Sequence, residues 1–156
     1  MVEQQFPRIL EKLVSCRSVT SNQVEVRRGF TYIVSLFLGL PIETKLIKHN
    51  GIYSFLAWFK DKNWKRPQVI LNGHFDVVPA NSASEFYPRG KRNRMYGRGT
   101  QDMKGALTAF ILAMKEIAGW QEKPNLMLMI TGDEEVGGTD GVFHLVNNIG
   151  IKPEFV

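Results

Sequence analysis

Apolar residues recur with helical spacing at Phe6, Ile9, Leu10, Leu13 and Val14, which predicts an amphipathic helix near the start of the chain. A second helix is expected from Ser21 or Asn22, both good N-caps, with Val26, Phe30, Ile33, Val34 and Phe37 facing inward and Gly39 then Pro41 ending it. Strands follow near residues 43–48 and 53–59, joined by the hairpin signal Asn50-Gly51. Residues 61–67 read as a polar loop, and 68–73 as a short buried strand. A long loop rich in Pro, Gly, Ser and Arg covers 79–100. Met103, Leu107, Phe110, Ile111, Met114 and Ile117 then make one helical face, residues 126–131 a buried strand, and Val142, Leu145, Val146 and Ile149 a last helix. Pro153–Val156 reads as the start of another strand. Strands alternating with helices in the second half imply parallel crossover units. The expected fold is therefore α/β, three layers deep, with helices flanking a mixed, mainly parallel sheet.

Composition narrows the class. The chain has 156 residues, enough for one domain, and 44% hydrophobic residues, enough for a packed core. The N-terminal string Met1–Pro7 lacks a basic stretch followed by an apolar run, so no signal peptide is expected. The most apolar stretch, 30–40, falls short of the roughly 18 residues of a membrane helix, so no membrane partner is expected. The single cysteine, Cys16, rules out a disulfide framework within one chain and suits a cytoplasmic location; its place on an amphipathic helix reads as core. The net charge of +5 permits nucleic-acid binding, but the basic run Arg89–Arg94 has no aromatic stacking platform beside it. It reads as a solvated loop, and no nucleic-acid partner is expected.

Three constellations carry chemistry. Gly73-His74-Phe75-Asp76-Val77-Val78-Pro79 closes a buried strand, and residues two apart in extended chain share a side. His74 and Asp76 then form either a strand-end pair or a metal-binding histidine with the carboxylate that fixes its tautomer. Gly97-Arg98-Gly99-Thr100-Gln101-Asp102-Met103-Lys104-Gly105 leads into a helix, with Asp102 as an N-cap or a ligand. It lacks the phosphate-loop pattern. Thr131-Gly132-Asp133-Glu134-Glu135-Val136-Gly137-Gly138 sets three acids at a strand end, where they repel one another unless a cation is near. All three fall on one edge of the expected sheet, where open α/β sheets place their sites, and histidine with carboxylates is a donor set Zn²⁺ accepts.

The strings GHFDVVP, GRGTQDMKG and TGDEEVGG, in this order and spacing, resemble the signatures of the dinuclear zinc aminoacylase and exopeptidase family, which includes acetylornithine deacetylase, succinyl-diaminopimelate desuccinylase, glutamate carboxypeptidase and the carnosinase-related dipeptidases. The resemblance implies a metal-dependent hydrolase of an amide bond in N-acyl amino acids or short peptides. It implies Zn²⁺, two per complete site, with Co²⁺ or Mn²⁺ as alternatives. By position His74 binds one zinc, Asp76 orients His74, Asp102 bridges both metals, Glu134 is the general base and Glu135 binds the second zinc. The bond after Asp102 is expected to be cis, and the full-length form a homodimer. Residues 1–156 would be the N-terminal portion of the catalytic domain, truncated before a further acidic ligand, a last histidine ligand and the dimerisation or lid domain. The alternative is a catalytically incomplete fragment or pseudo-enzyme with the fold and no activity of its own. The loop 84–94 departs from the family pattern, lacking its tryptophan and acidic–glycine turn. His49 and His144 match no motif and read as structural or solvated.

Overall fold

The computed structural model describes residues 2–156; of the N-terminal string read above, Met1 lies outside the described residues. Helices α1 (Val2–Ser15) and α2 (Gln23–Leu36) come first. The side chain of Asn22 caps α2, accepting from the backbone N–H of Glu25 at 3.4 Å. Strands β1 (Ile42–His49) and β2 (Ile52–Phe59) pair antiparallel across Asn50 and Gly51, both at positive φ (44° and 90°), as the two-residue hairpin turn requires. Next are β3 (Val69–His74), a small hairpin of β4 (Arg89–Lys91) and β5 (Arg94–Tyr96), helix α3 (Gly105–Ile117), strand β6 (Leu126–Thr131) and a wide final helix, Thr139–Asn148. In that last helix Phe143 and Ile149 donate to carbonyls five residues back. No described helix is long and apolar enough to cross a membrane.

The main sheet runs β1-β2-β6-β3. Its β1–β2 and β2–β6 pairings are antiparallel and β3–β6 is parallel. The sheet is mixed as expected, with a smaller parallel share than "mainly parallel" implies: the early hairpin joins the sheet directly through β2. Phe155 adds a parallel bridge to Val69 on the outer side of β3, so the segment read as a nascent strand does lie along the sheet.

Alternate residues of the central strands feed two cores. Phe55, Ala57, Phe59, Leu128 and Ile130 pack with α1, α2 and α3, whereas Leu56, Trp58, Met127 and Met129 pack with Leu145 and Ile151. Helices thus cover both faces, which gives three layers and explains why β2 and β6 read as unbroken apolar runs. Gly29 of α2 lies flat on Phe75; an added Cβ there would sit 2.1 Å from the ring. Two expectations need correcting. Residues 79–100 contain a short turn, Ala83–Phe86, and the β4–β5 hairpin; its strands are too short and too charged for periodicity to reveal. Met103 does not belong to α3: Asp102 (φ −123°, ψ 100°) and Met103 (φ −130°, ψ 31°) are non-helical, and α3 begins at Gly105.

Candidate metal centre

His74 ends β3, 4% exposed. Its Nδ1 lies 3.0 Å from the backbone carbonyl of Asp76, which can only accept, so Nδ1 carries the proton. The Asp76 carboxylate stands farther from the same nitrogen, at 3.4 Å. The chain turns after the strand, so the carbonyl of Asp76 makes the shorter contact to the ring, where the sequence pointed to the carboxylate. Nε2 faces the other way, 3.0 Å from Asp102 Oδ1 and 3.7 Å from Glu134 Oε2. Burial disfavours the imidazolium, but the hydrogen bonds to Asp76 and Asp102 outweigh it and hold the pKa at about 9.

Asp102 reaches His74 because two glycines permit it. Gly99 takes φ 79° ahead of it, and Gly73 leaves room for Met103, whose Cε would lie 2.8 Å from a Cβ there. The Asp102–Met103 peptide bond is cis. Asp102 is no helix cap, since Lys104 precedes α3, and its side chain is 74% exposed. Lys104 is fully buried; its Nζ donates to the carbonyl of Cys16 at 3.0 Å and sits 4.6 Å from the Phe75 ring. Burial lowers its pKa to about 8. Cys16 itself is buried, a core residue as read from the sequence.

The acidic turn separates its three acids by role. Asp133 is 2% exposed, and its Oδ2 accepts the N–H groups of Asp140 and Gly141, both at 2.9 Å, so it anchors the last helix. Burial pushes its pKa up. The N–H groups of Glu134 and Glu135 donate to the two oxygens of the fully buried Asp76 carboxylate, at 3.1 and 3.2 Å. Thr20 Oγ1 donates to Asp76 Oδ2 at 2.7 Å. Asp76 therefore joins the end of β3 to the turn after β6, a task its position in the motif did not disclose. Thr20, Gln23 and Lys104 also support the site; Lys104 falls within the string GRGTQDMKG without a role being read from it, and no local pattern marks Thr20 or Gln23.

One donor atom each from His74, Asp102 and Glu135 lies within 4.8 Å of the others. Glu135 has its pKa raised by burial first and then by the charges of Asp102, Asp76 and Glu134, against a lowering by His74. Crowded carboxylates beside an imidazole fit a divalent cation, which would relieve their repulsion and take the Nε2 lone pair. A cavity of about 430 Å³, lined among others by Arg89, Arg98, Asp102 and Glu135, opens next to them. His49 and His144 are not in this group; their rings stack at 3.7 Å, with His49 Nε2 3.5 Å from Asp140.

A family model described as Peptidase family M20/M25/M40 matches residues 70–156, the stretch that holds all three clustered residues. The chain is 32% identical over 136 residues to a succinyl-diaminopimelate desuccinylase of Sulfurovum sp., covering 85% of this chain and 35% of that protein. It is 28% identical over 154 residues to the Burkholderia pseudomallei protein of the same name, covering 94% of this chain and 40% of that one. The chain thus spans well under half the length of these relatives. The fold matches that of an M20 family metallo-carboxypeptidase from Sulfolobus solfataricus, with a TM-score of 0.73 at 22% identity over 94% of this chain and 35% of the other.

Proposed function

The chain belongs to Peptidase family M20/M25/M40, and on that premise we propose that it carries part of the centre of a zinc-dependent amidohydrolase acting on N-acyl amino acids or short peptides. The observation that carries this reading is the convergence of His74, Asp102 and Glu135 from three separate segments to within 4.8 Å. Those three would hold the cation, with exposed Asp102 free to face a second one. Zinc there supplies a Lewis acid that polarises the scissile carbonyl and acidifies water. The remaining work falls to the chain. Glu134, whose side chain is 57% exposed and whose backbone is held by Asp76, is the general base: it takes the proton of the attacking water and delivers it to the leaving amine. The relatives' name supports a small substrate with an acyl group on an amine. The single buried thiol supports a cytoplasmic location.

In a longer form carrying the rest of the domain, Glu134→Gln abolishes turnover and keeps its zinc, whereas Glu135→Gln loses zinc at least about 10-fold in affinity. Metal analysis beside an amidase assay on N-acyl amino acids checks both, and equal zinc loss in the two variants overturns the assignment. The number of donors favours a second reading for residues 1–156 alone. A pair of ions sharing Asp102 leaves each with two protein ligands from this set, below the three or four that zinc sites use. This stretch by itself would then hold one ion weakly and turn over nothing. Calorimetric zinc titration tests it, and two tight sites with turnover would refute it.

A further inference from the structure

Each segment that bears a clustered residue touches the stretch 16–23, which is the connector between α1 and α2 together with Gln23, the first residue of α2. From the Asp102 side, Lys104 Nζ donates to the carbonyl of Cys16 at 3.0 Å. From the His74 side, Ser18 Oγ donates to the carbonyl of Phe75 at 2.8 Å, Val77 N–H donates to the carbonyl of Ser18 at 2.9 Å, and Thr20 Oγ1 donates to Asp76 Oδ2 at 2.7 Å. From the Glu135 side, Gln23 Nε2 donates to the carbonyl of Gly132 at 2.7 Å and to that of Thr20 at 2.9 Å, while its Oε1 accepts from Tyr53 N–H at 3.0 Å. The connector lies outside the stretch matched by the family model.

The Asp76 carboxylate is the shared element. Torsion about its last bond is broad and has no strong staggered minimum of its own. Four groups fix it: Glu134 N–H and the neighbouring His74 Nδ1 at Oδ1, and Glu135 N–H and the Thr20 hydroxyl at Oδ2. Of these, only the Thr20 hydroxyl comes from outside the β3 end and the acidic turn. Without it, the carboxylate is oriented only by the groups it is meant to orient. We propose that Thr20, acting through Asp76, is a positioning residue for the metal centre, and that Gln23 holds the same acidic turn from Gly132. The inference rests on the metal-binding reading above.

Cobalt(II) titration of the chain, followed by its visible absorption, tests this together with amide hydrogen exchange on the metal-free samples. Loss of the absorption in Glu135→Gln identifies the site. Thr20→Val, close in shape and without a donor, binds cobalt about 10-fold more weakly. Thr20→Ser, which restores the hydroxyl, stays within about twofold of the original chain. The amides of Glu134 and Glu135 exchange faster in Thr20→Val and Gln23→Leu, and unchanged in Thr20→Ser. If Thr20→Val does not fold, Thr20→Cys, similar in size and a far weaker donor, makes the same comparison with Thr20→Ser. Equal cobalt affinity in the original chain and Thr20→Val overturns the proposal while leaving the metal reading in place. Equal weakening in Thr20→Val and Thr20→Ser also overturns it, because size and not the hydroxyl would be responsible. No cobalt uptake by the original chain overturns the metal reading and this proposal with it.

Discussion

Two loops leave the same edge of the sheet and are built in opposite ways. The turn after β6 is short and held from beneath by two buried carboxylates: Asp76 takes the N–H groups of Glu134 and Glu135, and Asp133 takes those of Asp140 and Gly141. The loop between β3 and α3 is long and carries the β4–β5 hairpin, whose residues are almost all exposed. Its main tether is Glu85, which pairs with the Arg98 guanidinium at 2.8 Å and accepts the Arg98 N–H at 2.7 Å. Arg89, Lys91, Arg92 and Arg94 make no ion pair among the described residues. The contrast separates placement from exposure. Side chains that must meet within a few ångströms stand on backbone fixed by buried acceptors, and the neighbouring wall of the cavity does not.

The sharpest way to break this contrast is to remove the buried acceptor. Asp76→Ala leaves the N–H groups of Glu134 and Glu135 and the Thr20 hydroxyl without a partner. It is expected to cost roughly 3–5 kcal/mol in chemical denaturation and to abolish metal uptake.

A smaller effect follows from His74, whose pKa is raised from 6.5 to about 9 by Asp76 and Asp102 against the cost of burial. A base with a raised folded pKa contributes fully below pH 6.5 and loses that contribution as pH climbs towards 9. Lys104, lowered to about 8 by burial, acts in the opposite sense above that pH. The metal-free chain should therefore lose on the order of 1–2 kcal/mol between pH 6.5 and 8. The loss should be smaller in Asp102→Asn, as measured by thermal unfolding in chelator.

The smallest effect is expected on the other loop. Neutralising Lys91, Arg92 and Arg94 to Ser should change stability by no more than about 0.5 kcal/mol per site, with cobalt affinity unaltered. A large loss there would show that the hairpin is anchored after all.

The same contrast marks what could be read from the sequence. Periodicity placed the buried face of α1 and located α2, β1, β2, β3 and β6 to within a residue or two, because burial on one or both faces dictates their composition. It extended α3 back to Met103, since spacing alone does not reveal that the backbone leaves the helix at Asp102. It missed β4 and β5, which bury almost nothing. Of the candidate site residues, His74, Asp102, Glu134 and Glu135 were visible because they sit in compact motifs. Thr20 and Gln23 were not: their partners lie 56 and 109 positions away, and a lone Thr in a connector or Gln at a helix start has no distinguishing composition.

Gly29 gives the architecture a genetic consequence. Its missing side chain lets α2 lie against Phe75, the residue between His74 and Asp76. Any larger residue there must displace the ring, and with it the two buried neighbours that build the candidate site. In a saturation screen for function, this chemically silent position 45 residues upstream should sort with the acids and the histidine. The boundary of the site drawn by such a screen would run through the back of a helix.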